Sequence, residues 1–223
     1  MVTYSIRQQS HHKAEKPRSN TGLIISLISA ILLLAICTYL AHKHTLTGLQ
    51  ARLFYDVDNL NLPKHFTTAA RWLTEGLGAA YPIIACVLIA ALFKNFYLAW
   101  RFALTVGIAV VIAEVLKYGI KEPRPITMLA GHLHQRVIET GPGFPSGHET
   151  VATALALTLW FVLPRRYRIL SVIWLVVLAF SRLYLGVHTP ADIIGGFAIG
   201  LLAVCVVRLL PPGLARTLRL EKG

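Results

Sequence analysis

Two histidines stand out because each one joins a loop to a long apolar run. His148 ends the segment PSGH, and His188 lies within the segment SRLYLGVHTPAD. Asp192 follows His188 by four residues, and Pro190 between them is typical of the first turn of a helix. A carboxylate at that spacing holds one ring nitrogen and leaves the lone pair of the other free. The pattern favours a nucleophilic His188 oriented by Asp192, with His148 as general acid, but leaves the order of the two histidines open.

Three cations accompany these histidines in the polar segments of the second half of the chain. Lys117 and Arg124 lie in KYGIKEPRP, and Arg182 lies just before His188. Clustered cations at a membrane interface are costly without an anionic partner, and Asp192 supplies only one carboxylate. A phosphate monoester or diphosphate would supply the missing charge, since arginine forks suit phosphate oxygens and lysine adds a point charge. We therefore expect the three cations to bind a phosphate group.

The segment around Ser146 predicts the start of a helix. Ser146 and Glu149 have the Ser-x-x-Glu spacing of a capping box. Free backbone N–H groups at such a start bind anions readily, and Gly147 has no side chain to keep an oxyanion at a distance. Ser146 and Gly147 are therefore candidate phosphate-binding residues, and a plain helix cap without a ligand is the alternative.

Long apolar segments must position these residues. Of 223 residues, 55% are hydrophobic and 14% are charged, and the mean hydropathy is +0.60, which is unusual for a soluble domain. Six apolar runs are each long enough for a membrane-spanning helix of about 25–30 Å. The predicted fold class is all-α, a polytopic membrane protein with a six-helix bundle whose extracytoplasmic loops carry the site. The runs are Leu23–Ala41, Gly76–Phe93, Arg101–Tyr118, Gly147–Leu163, Ile169–Leu185 and Ile193–Leu210.

The distribution of charge predicts how this bundle is oriented. The net charge of +12 sits largely in short segments between apolar runs, which fits a membrane surface better than a nucleic-acid site. If the segment 1–22 is cytoplasmic, the inner segments hold more than half of the Lys and Arg residues but only two of the acids. The positive-inside rule then favours a membrane domain at 23–210 and a cytoplasmic basic tail at 211–223. The three polar motifs would all lie at the outer ends of their helices.

The two long outer connections differ in character. Residues 42–75 contain LTGLQARLFYDVDNLNL, in which apolar residues recur with helical spacing at Leu46, Leu49, Leu53 and Phe54. A short helix is expected there, either on the membrane surface or packed against the outer domain. The connection 119–146 is rich in Gly and Pro, as expected of an irregular active-site loop.

No pattern in the sequence predicts a metal or cofactor site. The three cysteines each fall inside an apolar run and lack paired spacing. His42 with His44, and His132 with His134, have no third ligand at a sensible spacing, so solvated loops are expected. Glu114 is expected to pair with a cation and is given no catalytic role.

The polar motifs together resemble a known signature. K-x6-RP from Lys117, PSGH ending at His148, and SR-x5-H-x3-D ending at Asp192 are similar to the three-part signature of the type 2 phosphatidic acid phosphatase (PAP2) superfamily. All three parts match in order and in internal spacing. The signature spans about a third of the chain, and the six apolar runs extend the likeness to roughly 23–210.

The resemblance implies a metal-independent phosphatase that acts through a phosphohistidine and needs no cofactor. His188 would be the nucleophile oriented by Asp192, and His148 would protonate the leaving group and then activate water. The residues that would hold the phosphate are Lys117, Arg124, Ser146, Gly147 and Arg182.

The expected position of the site also favours a substrate class. A pocket at the outer membrane surface suits a lipid phosphate or diphosphate whose tail stays in the bilayer of the cell membrane. The resemblance implies a substrate of the undecaprenyl diphosphate, phosphatidate or phosphatidylglycerophosphate type. The expected partners are therefore the bilayer and its lipid phosphates, and no nucleic acid. Three alternatives stay open: a lipid phosphotransferase that uses the same phosphohistidine, a non-enzymatic lipid-phosphate carrier, and a vanadate-dependent haloperoxidase, against which the six membrane runs argue.

Overall fold

All regular secondary structure in the described part of the chain is helical, which confirms the predicted all-α class. The computed structural model describes residues 20–46, 48–77, 83, 84, 88, 96–129, 133, 134 and 136–210. A 3-10 turn, Arg165–Tyr167, joins two of the helices. The helices are α1 (Thr21–His42), α2 (Gly48–Asp58), α3 (Lys64–Leu77), α4 (Phe96–Ile120), α5 (Pro125–Met128), α6 (Gly147–Val162), α7 (Arg168–Tyr184) and α8 (Pro190–Leu209).

Four segments of the described chain are helical, long and apolar enough to cross a membrane. They are α1, the segment Tyr97–Met128 that contains most of α4, α7 with its preceding turn, and α8. The predicted helix at Gly147–Leu163 is present as α6, but its 16 residues give a rise of only about 24 Å. The predicted run Gly76–Phe93 lies mostly outside the described residues. The described helices therefore account for four of the six predicted spans by length and composition.

α8 lies at the centre of the bundle and packs against α1, α4 and α6. Glycines allow α6 to approach it at backbone distance. A Cβ atom on Gly196 would lie 2.7 Å from the carbonyl oxygen of Ser146, and one on Gly200 would lie 2.6 Å from Cβ of Thr153. Small residues at helix crossings are typical of membrane bundles, where close backbone packing replaces the hydrophobic effect. This contact fixes the start of α6 beside the start of α8.

The outer faces of α1 and α7 are apolar and exposed. Ile28 and Leu32 of α1 are about half exposed or more, as are Ile173 and Val176 of α7. In water such faces would be a large apolar patch, whereas in a bilayer they contact lipid. The surface of the bundle therefore supports the membrane location that the composition predicts.

The ends of several helices meet at one end of the bundle, which we call the site end. Ala41 at the end of α1 packs in one cluster with Phe144 and with Ile120 at the end of α4. α3 runs away from this end along α7, because Thr67 bonds to the Tyr184 hydroxyl at 3.0 Å and the later residue Thr74 bonds to Ser181.

The short helix expected between 42 and 75 is present as α2, and it packs against the ends of α7 and α8. Phe54 and Asp58 are buried in this contact, whereas Leu49 and Leu53 are 69% and 46% exposed. One face of α2 therefore packs against the bundle, while the other face exposes apolar side chains that could contact a membrane surface. The two expected placements of this helix are thus compatible with each other.

Candidate functional site

The start of α8 orients His188. Thr189 caps the helix by accepting from the N–H of Asp192 at 3.2 Å, and Asp192 Oδ2 accepts from the N–H of Thr189 at 2.7 Å. The same Oδ2 lies 3.3 Å from His188 Nδ1. This reciprocal capping box fixes the carboxylate, so Nδ1 carries the proton and Nε2 keeps its lone pair. His188 is 2% exposed and lines a cavity at the site end.

Burial keeps the His188 ring uncharged. Desolvation lowers the pKa of His188 from 6.5 to about 4. The hydrogen bond that His188 donates to Asp192 opposes this decrease, and the charge of Arg182 adds to it. At neutral pH the imidazole is therefore neutral, which is the form in which a ring nitrogen attacks an electrophile.

The PSGH segment is tied directly to α8. The backbone N–H of Ser146 donates to the carbonyl of Asp192 at 3.0 Å, and the Ser146 hydroxyl accepts from the N–H of Glu149 at 3.5 Å. α6 then begins at Gly147, and His148 in its first turn lines the same cavity as His188. The start of α6 and the histidine pair are therefore positioned by one set of backbone contacts.

Lys117 reaches the start of α6 from the end of α4. A Cβ atom on Gly147 would lie 3.3 Å from Nζ of Lys117, so the absence of a side chain leaves room for the ammonium group. Nζ also bonds to Glu114 at 3.0 Å, which is the cation pairing expected for that acid.

These side chains surround one cavity of about 280 Å³. Five of the eight predicted site residues line it directly, and the other three lie behind them. Asp192 contacts the His188 ring, Ser146 donates to the carbonyl of Asp192, and Arg182 is paired with Glu139. On one side the cavity becomes apolar, where α4 and α6 contribute Val110, Ala113 and Val151. The predicted residues in the lining are Lys117, Arg124, Gly147, His148 and His188.

An acid that the sequence analysis did not select joins the two arginines. Glu139 Oε2 lies 2.9 Å from Arg124 Nη1, and Glu139 Oε1 accepts from Arg182 Nη2 at 2.5 Å. Arg124 also donates to the carbonyls of Val187 and Gly141. Burial alone would raise the pKa of the Glu139 carboxyl, but the charge and hydrogen bond of Arg182 hold it below its usual value. The only available signal in the sequence was that Glu139 is the single acid between Arg124 and His148.

Two further residues support the His188–Asp192 pair and were also not selected. The buried Glu122 carboxyl lies within hydrogen-bond reach of Asp192. Gln50 of α2 accepts from the N–H of Ala191 at 3.2 Å and so fixes the first turn of α8 from outside. Neither residue belongs to a local motif, because both contacts join distant parts of the chain.

Metal ligands do not cluster in the part of the chain that the structure describes: no group of three or more His, Cys, Asp or Glu side chains could hold an ion there. The rings of His42 and His44 lie 6.0 Å apart, centre to centre, and are tilted by 48° to each other. The predicted pair of His132 and His134 is only partly testable, since His132 lies outside the described residues.

Comparison with known proteins identifies relatives of this site. The family model of the PAP2 superfamily matches residues 98–215. An undecaprenyl-diphosphatase from Sulfolobus acidocaldarius is 36% identical over 93 residues, which are 42% of this chain and 45% of the relative. Phosphatidylglycerophosphatase B from Bacillus subtilis is 29% identical over 157 residues, 61% of this chain and 74% of the relative. The chain thus spans less than half the length of the archaeal relative.

A solved structure shares the fold. The crystal structure of a transmembrane PAP2-type phosphatidylglycerolphosphate phosphatase from Bacillus subtilis superposes with a TM-score of 0.67 at 24% identity, over 86% of this chain and 96% of that one. At this identity the likeness establishes the architecture of the bundle.

Proposed function

Because this chain belongs to the PAP2 superfamily, we propose that it is an integral membrane phosphatase. It hydrolyses a lipid phosphate or diphosphate at the outer membrane face, through a phosphohistidine and without a metal ion. The observation that carries this proposal is a neutral, carboxylate-oriented His188 in a cavity whose other walls present cations.

The first step is binding of the phosphate group. Lys117 and Arg124 line the cavity, and Arg182 approaches it from behind Glu139. Together with the backbone N–H groups at Ser146 and Gly147, they neutralise the phosphate oxygens and hold the phosphorus opposite His188. The guanidinium group of Arg182 is fully buried, so the protein around it screens its charge only weakly.

The second step transfers the phosphoryl group to His188. Nε2 attacks phosphorus, the N–P bond forms, and the bond from phosphorus to the leaving oxygen breaks. His148 gives a proton to that oxygen, which leaves as an alcohol or as a phosphate ester. Asp192 stabilises the positive charge that develops on the His188 ring, because its carboxylate already accepts from Nδ1.

The third step releases the phosphate. Water attacks phosphorus from the side that the leaving group has vacated, and His148 takes the proton of this water. The N–P bond breaks and returns its electron pair to His188 Nε2. Inorganic phosphate then leaves, and both histidines are again in their starting states.

The apolar side of the cavity supports a lipid substrate. Val110 and Ala113 on α4 and Val151 on α6 continue the cavity below the cations. Val110 lines the cavity and is 37% exposed, so a chain attached to the phosphate can pass sideways into the bilayer beside it. Undecaprenyl diphosphate, phosphatidate and phosphatidylglycerophosphate all have such a chain.

The proposed topology has six crossings with both termini cytoplasmic. α1 and α4 both end at the site end, and α4 rises about 38 Å over its 25 residues. We infer one crossing of the bundle between them, and the direction of α3 along α7 supports this inference. This count assigns the basic segments to the cytoplasm and the cavity to the outer face.

Phosphate release from a panel of lipid phosphates, with purified protein and an excess of chelator, tests the proposal. We expect release that is unchanged by chelator and abolished by His188→Ala. Loss of activity with chelator would contradict the metal-free mechanism. If the substrate loses its phosphate only when a lipid alcohol is added, and the phosphate is transferred to that alcohol, the protein is a phosphotransferase and not a hydrolase.

A further inference from the structure

The two arginines proposed to bind phosphate already share an anion. Each oxygen of the Glu139 carboxylate faces a different arginine, with Oε1 on Arg182 and Oε2 on Arg124. This is the way in which two oxygens of one phosphoryl group would bridge the same pair. Arg182 is buried, whereas the Glu139 side chain is 24% exposed. The carboxylate can therefore leave toward solvent while the arginine stays in position.

We propose that Glu139 is a resident counter-anion which the phosphate group must displace, so that it sets the affinity of the cavity for anions. This inference rests on the proposed function of the same site. With Glu139 bound, the buried guanidinium of Arg182 keeps an ion-pair partner between catalytic cycles. Without this partner it would be an unpaired buried charge, which is strongly unfavourable. A phosphate dianion carries more charge than the carboxylate and replaces it, whereas a singly charged anion gains less by the exchange.

The loop that carries Glu139 is held by a second ion pair, outside the cavity. Arg136 donates to Asp58 Oδ1 at 3.1 Å, to the Asp58 carbonyl at 2.7 Å and to the Tyr184 carbonyl at 2.7 Å. Its guanidinium also lies 4.1 Å from the centre of the Tyr184 ring. Asp58 is 1% exposed, so this clamp is well shielded from water. Because Arg136 is three residues from Glu139, the clamp keeps the carboxylate close to its two arginines.

Exchange of this kind lowers the apparent affinity for phosphate. When an internal group occupies a site for most of the time, an external ligand binds only the remaining fraction, and its dissociation constant increases in proportion. Removing the internal anion, or loosening the loop that holds it, should therefore tighten binding of inorganic phosphate, the product of the proposed reaction.

Calorimetric titration of purified protein with inorganic phosphate tests the inference without using turnover. We expect Glu139→Gln to bind phosphate about tenfold more tightly than the wild type, if the carboxylate occupies the arginines about nine-tenths of the time. Asp56→Asn, which removes one exposed acid of α2, serves as the control for net charge and should leave the affinity unchanged.

Two further variants separate displacement from a simple charge effect. Glu139→Asp keeps the charge but shortens the reach, so it should also bind phosphate more tightly, whereas a long-range charge effect would leave it at the wild-type value. Arg136→Gln removes a positive charge and should nevertheless tighten binding, because it releases the loop. Melting temperatures establish that each variant is folded.

The outcomes are distinguishable from those of the proposed function. Equal or weaker phosphate binding by Glu139→Gln and Glu139→Asp would overturn the inference, even if the wild type releases phosphate from lipids. Tighter binding by both would support it, even if no lipid phosphate were hydrolysed, and the proposed function alone would then fail.

Discussion

At His188, a buried ring and a buried carboxylate act on each other in opposite directions. Burial disfavours the charged imidazole, while Asp192 favours it through the 3.3 Å contact to Nδ1. Burial has the larger effect, so the ring is a neutral nucleophile before attack. During attack the ring becomes positive, and the same carboxylate then stabilises it. The pair therefore favours the transition state over the ground state, which is the requirement for catalysis.

Replacing Asp192 by Asn tests this role. The uncharged amide does not hold the Nδ1 proton as the carboxylate does. The ring is therefore no longer fixed in one tautomer, and the positive charge that develops on it during attack is no longer stabilised. We expect kcat to decrease by about 10²–10⁴-fold, with a smaller change in KM. A melting temperature close to that of the wild type is the control for folding. A change confined to KM would show that Asp192 acts in binding and not in orienting the nucleophile.

The pKa of His188 gives a pH prediction that needs no substrate. The folded-state pKa of about 4 lies below the ordinary histidine value of 6.5, so the unfolded chain takes up this proton first as the pH falls. The stability that the neutral ring contributes is complete above pH 6.5 and is lost progressively as the pH falls toward 4. Titration by ¹⁵N NMR of histidine-labelled protein, with His188→Gln for assignment, should show one ring with a midpoint near 4. A midpoint near 6.5 for this ring would contradict the prediction.

How much of the site could be predicted depends on the separation of the residues in sequence. His188 lies just before the cap of α8 and Asp192 lies in the first turn, so their spacing of four residues predicts their contact. Glu139 meets Arg182 across 43 residues, and no periodicity records such a contact. Glu122 beside Asp192 was missed for the same reason. The hydropathy pattern and the distribution of charge predicted that the three motifs converge at one end of the bundle, but neither they nor the family signature indicated either acid.

At the scale of the elements, the contact between α6 and α8 aligns the histidines. Gly196 lies against the backbone of Ser146, and the carbonyl of Asp192 accepts from Ser146 N–H. A displacement of α6 along α8 would therefore move His148 relative to His188. Because backbone atoms, and not flexible side chains, form this contact, the structure has little freedom to adjust to added volume.

Gly196→Ala should consequently impair both stability and activity. The new Cβ would be 2.7 Å from the Ser146 carbonyl, and such overpacking typically costs about 1–3 kcal/mol. Gly107→Ala on α4 is the matched control, since a Cβ there meets nothing within 4 Å and alanine favours the helix. We expect a lower melting temperature and slower phosphate release for Gly196→Ala only. Equal behaviour of the two variants would show that the α6–α8 contact tolerates displacement.

The path proposed for the lipid chain gives a second prediction at this scale. Val110 lines the cavity and Val111, the next residue of α4, faces outward and is 63% exposed. Val110→Trp should raise KM for a long-chain lipid phosphate several-fold while leaving a short-chain water-soluble phosphate ester unaffected. Val111→Trp should change neither. Equal effects of Val110→Trp on both substrates would place the chain elsewhere and indicate a general distortion of the cavity.

The helices themselves were predictable where an apolar run or a cap marks them. α6 begins at Gly147 because Ser146 caps it, and both signals are local. α3 was not predicted as a separate helix, since Lys64–Leu77 alternates polar and apolar residues and buries only a stripe against α7. Continuous hydropathy detects helices that are apolar all round, and it underestimates amphipathic helices whose partners come from distant sequence.

At the scale of the whole molecule, one end of the bundle gathers the chemistry, and an exposed basic turn lies at the other end. The 3-10 turn between α6 and α7 contains Arg165 and Arg166, and both are exposed at the end opposite to the cavity. Anionic lipid headgroups on the cytoplasmic leaflet attract such residues. A substrate with its phosphate at the other leaflet would meet the cations of the cavity. The basic turn therefore supports the proposed orientation, in which the cavity faces outward.

Cysteine labelling in intact bacterial cells tests this orientation. In a variant whose native cysteines are replaced by serine or alanine, Thr140→Cys introduces one exposed thiol beside the cavity, and Arg166→Cys introduces one at the opposite end. A membrane-impermeant maleimide should label Thr140→Cys in intact cells and Arg166→Cys only after permeabilisation. The reverse pattern would put the cavity on the cytoplasmic side, where the substrate would have to be a lipid phosphate of the inner leaflet. Because the same chemistry works in either orientation, this measurement decides which leaflet the enzyme serves independently of any result on catalysis.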